Sequence, residues 1–183
     1  AIYNYIETGN KYFQKGPTIS GINANSFNGN SISLSGDGSR FAWAGEERIV
    51  VWELSSSGDP LDRIFDRTNK QFFSVDLNED GSILVFSDKS DGGVEVWDLS
   101  NESRIGSFNQ ETWSAEPLNL NTDDTNDWSE IQVSLDQSGT ALAIGFPNAN
   151  NNVKDTGKVA LYSYTGESWE LFHVYNNNIL VYI

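Results

Sequence analysis

The stretch SVDLNEDGSILVFSD, Ser74 to Asp88, decides how the chain is read. Polar and apolar residues alternate through Ser74-Val75-Asp76-Leu77. A polar turn then closes in Gly81 and Ser82, and a second apolar segment runs on from Ile83. Period-2 alternation on either side of a Gly turn predicts a β-hairpin. The same form recurs upstream as SISLSGDGSRFAWAG, Ser31 to Gly45, and downstream as QVSLDQSGTALAIGF, Gln132 to Phe146. The anchoring glycines Gly38, Gly81 and Gly139 are 43 and 58 residues apart, so the second step predicts an insertion of 15 residues.

Each copy extends into two more strands. Ile49 to Leu54 aligns with Val94 to Leu99 and with Val159 to Tyr164, all rich in β-branched and aromatic residues. Fourth strands are expected at Asp62 to Phe65, Ser103 to Phe108 and Ser168 to Val174. Four short strands per repeat of this length predict an all-β chain built of β-propeller blades. The opening AIYNYIETGNKYFQKG, Ala1 to Gly16, overlays VALYSYTGESWELFHV, Val159 to Val174, and reads as the outer half of a blade. The expected organisation is an outer half-blade (1–21), blades at 22–66, 67–110 and 111–175, and a tail strand (176–183). Propellers close with about four blades or more, and open stacks leave unpaired edges. About three and a half four-stranded antiparallel blades therefore suggest a partial propeller: a fragment of a larger one, or a chain completed by a partner chain. A strained four-bladed ring is the less favoured alternative.

Two families share features of this repeat. At the strand-turn-strand glycines the chain resembles WD-repeat blades: Trp97-Asp98 fits their closing pair, Trp52-Glu53 half fits, and Tyr162-Ser163 does not. The structural His of that family is missing. The last blade is similar to FG-GAP-like repeats through Gly139, Ala143, Ile144, Gly145, Pro147, Gly157, Val159, Tyr162 and Trp169, with Phe146 in place of the usual Ala. The FG-GAP resemblance implies a secreted or cell-surface protein that adheres, binds ligands or serves as a scaffold.

Composition narrows the function classes. The 183 residues carry 11 Lys and Arg against 26 Asp and Glu, a net charge of −15. Phosphate backbones and anionic lipid would be repelled, so nucleic acid is excluded as a partner. There is no Cys, which excludes disulfides, zinc-cysteine centres and a thiol nucleophile, and a single His, which excludes a multi-His metal centre. The longest apolar run, Ile179 to Ile183, is far short of the ~20 residues that span a bilayer, so no membrane insertion is expected. The absence of Met, even at position 1, suggests a processed or excised piece. With 6 Trp, 7 Tyr and 10 Phe the chain is too aromatic for an acidic disordered segment.

Several residue groups are candidates for chemistry. Asp76-Leu77-Asn78-Glu79-Asp80-Gly81 fits the opening of a calcium loop, with Asp76, Asn78 and Asp80 as ligands, although Ser87 stands where the completing acid belongs. The plainer reading is a hairpin turn, because Asp and Gly suit its backbone. The insertion Glu111 to Trp128 holds Asp123, Asp124 and Asp127. The loop Pro147 to Thr156 holds Asn150, Asn151 and Asp155. In a four-stranded meander both loops leave on one rim, where their oxygens suit Ca2+ or a polar, sugar-like partner; the plain alternative is a solvated acidic rim. Trp113 and Trp128 flank the insertion, where they would clamp it or stack on a sugar. Trp43, Trp52, Trp97 and Trp169 sit at strand positions and are expected to pack between blades. His173 reads as a surface or packing residue. Asn101-Glu102-Ser103 is a glycosylation sequon in an exposed turn. No G-x-S-x-G, phosphate loop or dinucleotide fingerprint is present.

The combined expectation is a non-enzymatic, extracellular or cell-surface interaction and scaffold module, and a structural unit of a larger assembly. Its partners would be further blades of the same chain, another protein, a glycan, or copies of itself in a homo-oligomer or filament. The alternatives are a carbohydrate-active propeller hydrolase using rim carboxylates and an intracellular WD-type peptide-binding scaffold.

Overall fold

The computed structural model describes residues 2–15, 28–57, 59–88, 93–109, 112–113, 130–149 and 157–176. A two-stranded hairpin, β1 (Ile2–Ile6) and β2 (Lys11–Lys15), turns through a 3-10 segment at Glu7–Gly9. Three four-stranded antiparallel meanders follow. The first holds β3 (Asn28–Leu34), β4 (Arg40–Gly45), β5 (Arg48–Leu54) and β6 (Pro60–Thr68). The second holds β7 (Phe72–Leu77), β8 (Ile83–Asp88), β9 (Gly93–Asp98) and β10 (Ser103–Phe108). The third holds β11 (Gln132–Leu135), β12 (Ala141–Phe146), β13 (Lys158–Tyr164) and β14 (Trp169–Asn176). The sheets stand side by side as consecutive propeller blades, with β3, β7 and β11 as neighbouring innermost strands.

The three blades repeat in register. Leu34 pairs with Phe41, Leu77 with Leu84, and Leu135 with Leu142. The turn glycines Gly38, Gly81 and Gly139 have φ of +70°, +67° and +73°, where a Cβ would be strained. Each donates its N–H back to the residue that opens the turn, Ser35, Asn78 or Asp136. The third strand closes on the same turn in every blade. Leu54, Leu99 and Tyr164 donate to the carbonyls of Ser39, Ser82 and Thr140 at 2.7–2.8 Å.

Alternation gives each blade two apolar faces, and two cores fill the gaps between blades. Between the first two lie Ala42, Ala44, Ile49 and Val51 against Phe72, Val75, Leu77, Leu84 and Phe86. Between the second and third lie Val85, Val94, Val96 and Phe108 against Val133, Leu142, Ile144, Phe146 and Tyr162. The middle blade is therefore covered on both sides. Approach is close at the outer strands. A Cβ on Gly106 of β10 would come within 2.8 Å of Trp169 of β14.

The last strand of the first blade is longer than its sequence pattern suggests, Pro60–Thr68 rather than Asp62 to Phe65. Charges at Arg63, Asp66 and Arg67 hide the alternation. They are accommodated because Asp66 accepts from both Arg48 and Arg63, the Arg63 contact at 2.7 Å, and Arg67 lies 4.4 Å over the Trp97 ring.

Core truncation should act through these inter-blade cores. Ile144→Ala is expected to lower unfolding free energy by about 2–5 kcal/mol in urea denaturation. Tyr162→Phe should cost nothing measurable. Its hydroxyl is buried without a hydrogen-bond partner, and burial pushes the phenol up to about 12.

Candidate functional site

Neighbouring blades are joined at their inner strands by polar side chains that reach sideways to main-chain groups. Ser31 of β3 accepts the N–H of Val75 at 3.1 Å, and Ser33 accepts that of Leu77 at 3.1 Å. One blade further on, Ser74 accepts the N–H of Val133 at 3.2 Å and Asp76 that of Leu135 at 2.8 Å. These are the same two repeat positions acting twice. Ser87, behind Ser74, accepts its N–H at 3.0 Å and donates to the carbonyl of Ile131 at 2.8 Å.

Asp76 is the centre of this arrangement. Oδ1 accepts the Ser33 hydroxyl at 2.8 Å and the Leu77 N–H at 3.0 Å. Oδ2 accepts the Ser134 hydroxyl at 3.2 Å and the Leu135 N–H at 2.8 Å. One carboxylate thus touches all three blades, and every oxygen is engaged. The turns above it are also linked: Asp37 donates its N–H to the Glu79 carbonyl, and Glu79 donates to that of Gln137.

At the calcium-loop candidate the structure shows a turn and a strut. Asn78 does not converge with Asp76: its Oδ1 accepts the Ile83 N–H at 2.8 Å and its Nδ2 donates to Ser82 at 3.3 Å. Asp80 accepts the Ser82 N–H at 2.9 Å. Among the described residues no three His, Asp or Glu side chains gather as for a metal. The turn acids instead stabilise their own loops. Hydrogen bonds from Ser82 hold Asp80 below the ordinary carboxylate value. For Asp37 and Asp136, burial pushes upward. Bonds from Ser39 and Ser35 outweigh it in the first, and bonds from Ser138, Ala141 and Thr140 in the second.

The other expected site residues divide in two. Trp113 is fully buried and meets Phe146 edge-on at 5.1 Å, in a helical turn whose N–H bonds the Asn109 carbonyl. It fills the core between the second and third blades and is not available to stack on a sugar. Asn101 is exposed in the β9–β10 turn, its Nδ2 donating to Asp98 at 2.6 Å. Asp123, Asp124, Asp127, Trp128, Asn150, Asn151 and Asp155 lie outside the described residues. Of the strand tryptophans, Trp43 is buried, Trp97 packs on the first inter-blade core and Trp169 on the second. Trp52 is half-buried beneath the Arg63 guanidinium. His173 is exposed and stands edge-on to Tyr175. A cleft of about 260 Å³ is lined by Ile64, Phe65, Leu99 and Glu102 together with the stacked Arg67 and Trp97.

The inter-blade serines were not singled out in the sequence, although a signal exists. Ser31 and Ser74 share one repeat position; Ser33, Asp76 and Ser134 share another.

Solved structures with this architecture are known. Hsv2 from Kluyvelomyces marxianus, a β-propeller protein, superposes with a TM-score of 0.54 at 13% identity, over 81% of this chain and 46% of that one. KlHsv2 with loop 6CD replaced by a Gly-Ser linker gives 0.50 at 13% identity, over 79% and 44%. The likeness is one of fold, and the chain spans about half the length of these structures. No protein family and no curated protein matches the sequence.

Two outcomes are expected. Asp76→Ala should destabilise by about 1–3 kcal/mol, because it leaves the Leu135 N–H without its acceptor. Asp37, Asp80 and Asp136 have lowered folded-state values, so their contribution is present above about pH 4 and is lost as pH falls further. A denaturation midpoint followed from pH 6 to pH 2 should drop in that lower range, and less steeply in Asp80→Asn.

Proposed function

We propose that the chain is a non-enzymatic interaction and scaffold module of an extracellular or cell-surface protein, and a structural unit of a larger assembly. The observation that carries the reading is the engagement of Asp76: the best candidate for chemistry on the inner strands holds blades together with both its oxygens. The turn acids Asp37, Asp80 and Asp136 are likewise bound by their own loops. These four carboxylates are thus engaged in holding turns and blades together. The net charge of −15 supports a solvated, repulsive surface towards anionic polymers. The Asn101 side chain is exposed in a turn, so in a secretory pathway its sequon would be reachable for modification.

The rival reading is a hydrolase acting on carbohydrate through Asp123, Asp124 and Asp127. A glycan-hydrolysis screen of the 183-residue chain and of its Asp123→Asn, Asp124→Asn, Asp127→Asn triple variant separates the two. No turnover by either protein is expected. Turnover that disappears in the triple variant would establish the hydrolase. Expression through a eukaryotic secretory pathway, with mass spectrometry of the Asn101 peptide, should find it glycosylated. Retention of an unmodified chain inside the cell would favour the intracellular peptide-binding alternative.

A further inference from the structure

We propose that the cleft between the first and second blades binds an apolar α-amino acid, with Arg67 taking its carboxylate and Glu102 its ammonium group. The inference goes beyond the scaffold reading and does not depend on it.

The cleft lies where the first inter-blade core reaches the outer strands. From the first blade, β6 brings Ile64, Phe65 and Arg67; from the second, β9 and the turn after it bring Trp97, Leu99 and Glu102. Ile64, Phe65, Trp97 and Leu99 belong to that core, so the floor is apolar. The volume of about 260 Å³ is just below the roughly 300–1,000 Å³ of drug-sized ligand sites, so an occupant is small.

Arg67 is set apart from the other arginines. Arg40 meets Glu53 at 3.8 Å, Arg48 and Arg63 share Asp66, and Arg104 meets Glu95 at 3.5 Å. Arg67, in a chain with 26 acids, meets no carboxylate among the described residues. Its guanidinium lies 4.4 Å over the Trp97 ring and 5.6 Å from the Phe65 ring. Stacking orients the group but uses none of its five N–H donors. A guanidinium held in this way can donate to both oxygens of one carboxylate.

Glu102 is the complementary case. It is exposed in the β9–β10 turn at φ +51°, a left-handed conformation that residues other than glycine seldom adopt. Its carboxylate has no hydrogen bond or ion pair among the described residues. The other acids beside the cleft are engaged. Asp66 is held by its two arginines, and Glu95 by Arg104 and by the Trp97 indole N–H at 2.7 Å. Arg67 and Glu102 therefore place opposite charges on one small cleft without closing on each other. A zwitterion satisfies both at once. A simple carboxylate is opposed by Glu102 and by the net charge of −15, and a simple cation by Arg67. A zwitterion has no net charge and meets neither penalty. The apolar floor favours an apolar side chain over glycine.

NMR titration of the 183-residue chain tests this through the Trp97 indole N–H resonance, assigned by its loss in Trp97→Phe. L-leucine and L-phenylalanine should shift it saturably. Isocaproate, which lacks the ammonium group, isoamylamine, which lacks the carboxylate, and glycine should each bind about tenfold more weakly or worse. Arg67→Gln and Glu102→Gln should each weaken leucine by a similar factor with an unchanged circular dichroism spectrum, whereas isocaproate should lose nothing in Glu102→Gln. The proposal is overturned by the absence of a saturable shift with either amino acid. Equal affinity of the wild-type chain for isocaproate or isoamylamine, or undiminished leucine binding in either variant, would also overturn it. None of these results touches the scaffold reading, which fails on turnover in the glycan screen.

Discussion

The structure depends on how innermost strands of separate sheets are held together. An inner strand has a sheet neighbour on one side only, so half of its N–H groups need another acceptor. Here the acceptor comes from the preceding blade. Ser31 and Ser33 supply it to Val75 and Leu77, and Ser74 and Asp76 supply it to Val133 and Leu135. Satisfying these groups sideways lets the apolar faces meet around the axis without leaving buried donors unpaired. Asp76 adds a charged acceptor, which makes stronger hydrogen bonds than a neutral one, at the point where three blades come closest.

That constraint explains why residues with catalytic or metal-binding chemistry are structural here. The D-x-N-x-D-G string is made by superposing two unrelated needs. One is a polar group at the inner-strand position, met by Asp76. The other is a turn with positive φ at Gly81, capped by Asn78 and Asp80. Each requirement recurs in the neighbouring blades with different residues, Ser33 and Asp37 in one and Ser134 and Asp136 in the other. Only in the middle blade do both happen to be filled by the residues of a calcium loop.

Most of the fold was legible because it is local. Strands with period-2 alternation on either side of Gly38, Gly81 and Gly139 are set by neighbours along the chain, and the hairpins appear where those patterns lie. The strand β6 was partly concealed by its charges: Asp66 pairs with Arg63 of the same strand, but also with Arg48, 18 residues away, and Arg67 lies over the distant Trp97 ring. The role of Asp76 was hidden for the same reason. Its partners Ser33 and Leu135 stand 43 and 59 residues away, and nothing local says that the carboxylate points between sheets. Trp113 lies outside the repeat pattern, so the sequence left clamping of the insertion and stacking on a sugar both open, whereas the ring packs against Phe146 in the core between the second and third blades.

Amide hydrogen exchange tests the inter-blade tie most directly. The amides of Val75, Leu77, Val133 and Leu135 should be protected like those inside the hairpins, and Asp76→Ala should release Leu135 while the β12–β13 pairing stays slow. Exchange of all four at the rate of an unstructured chain, with the hairpins still protected, would contradict the side-chain linkage between blades.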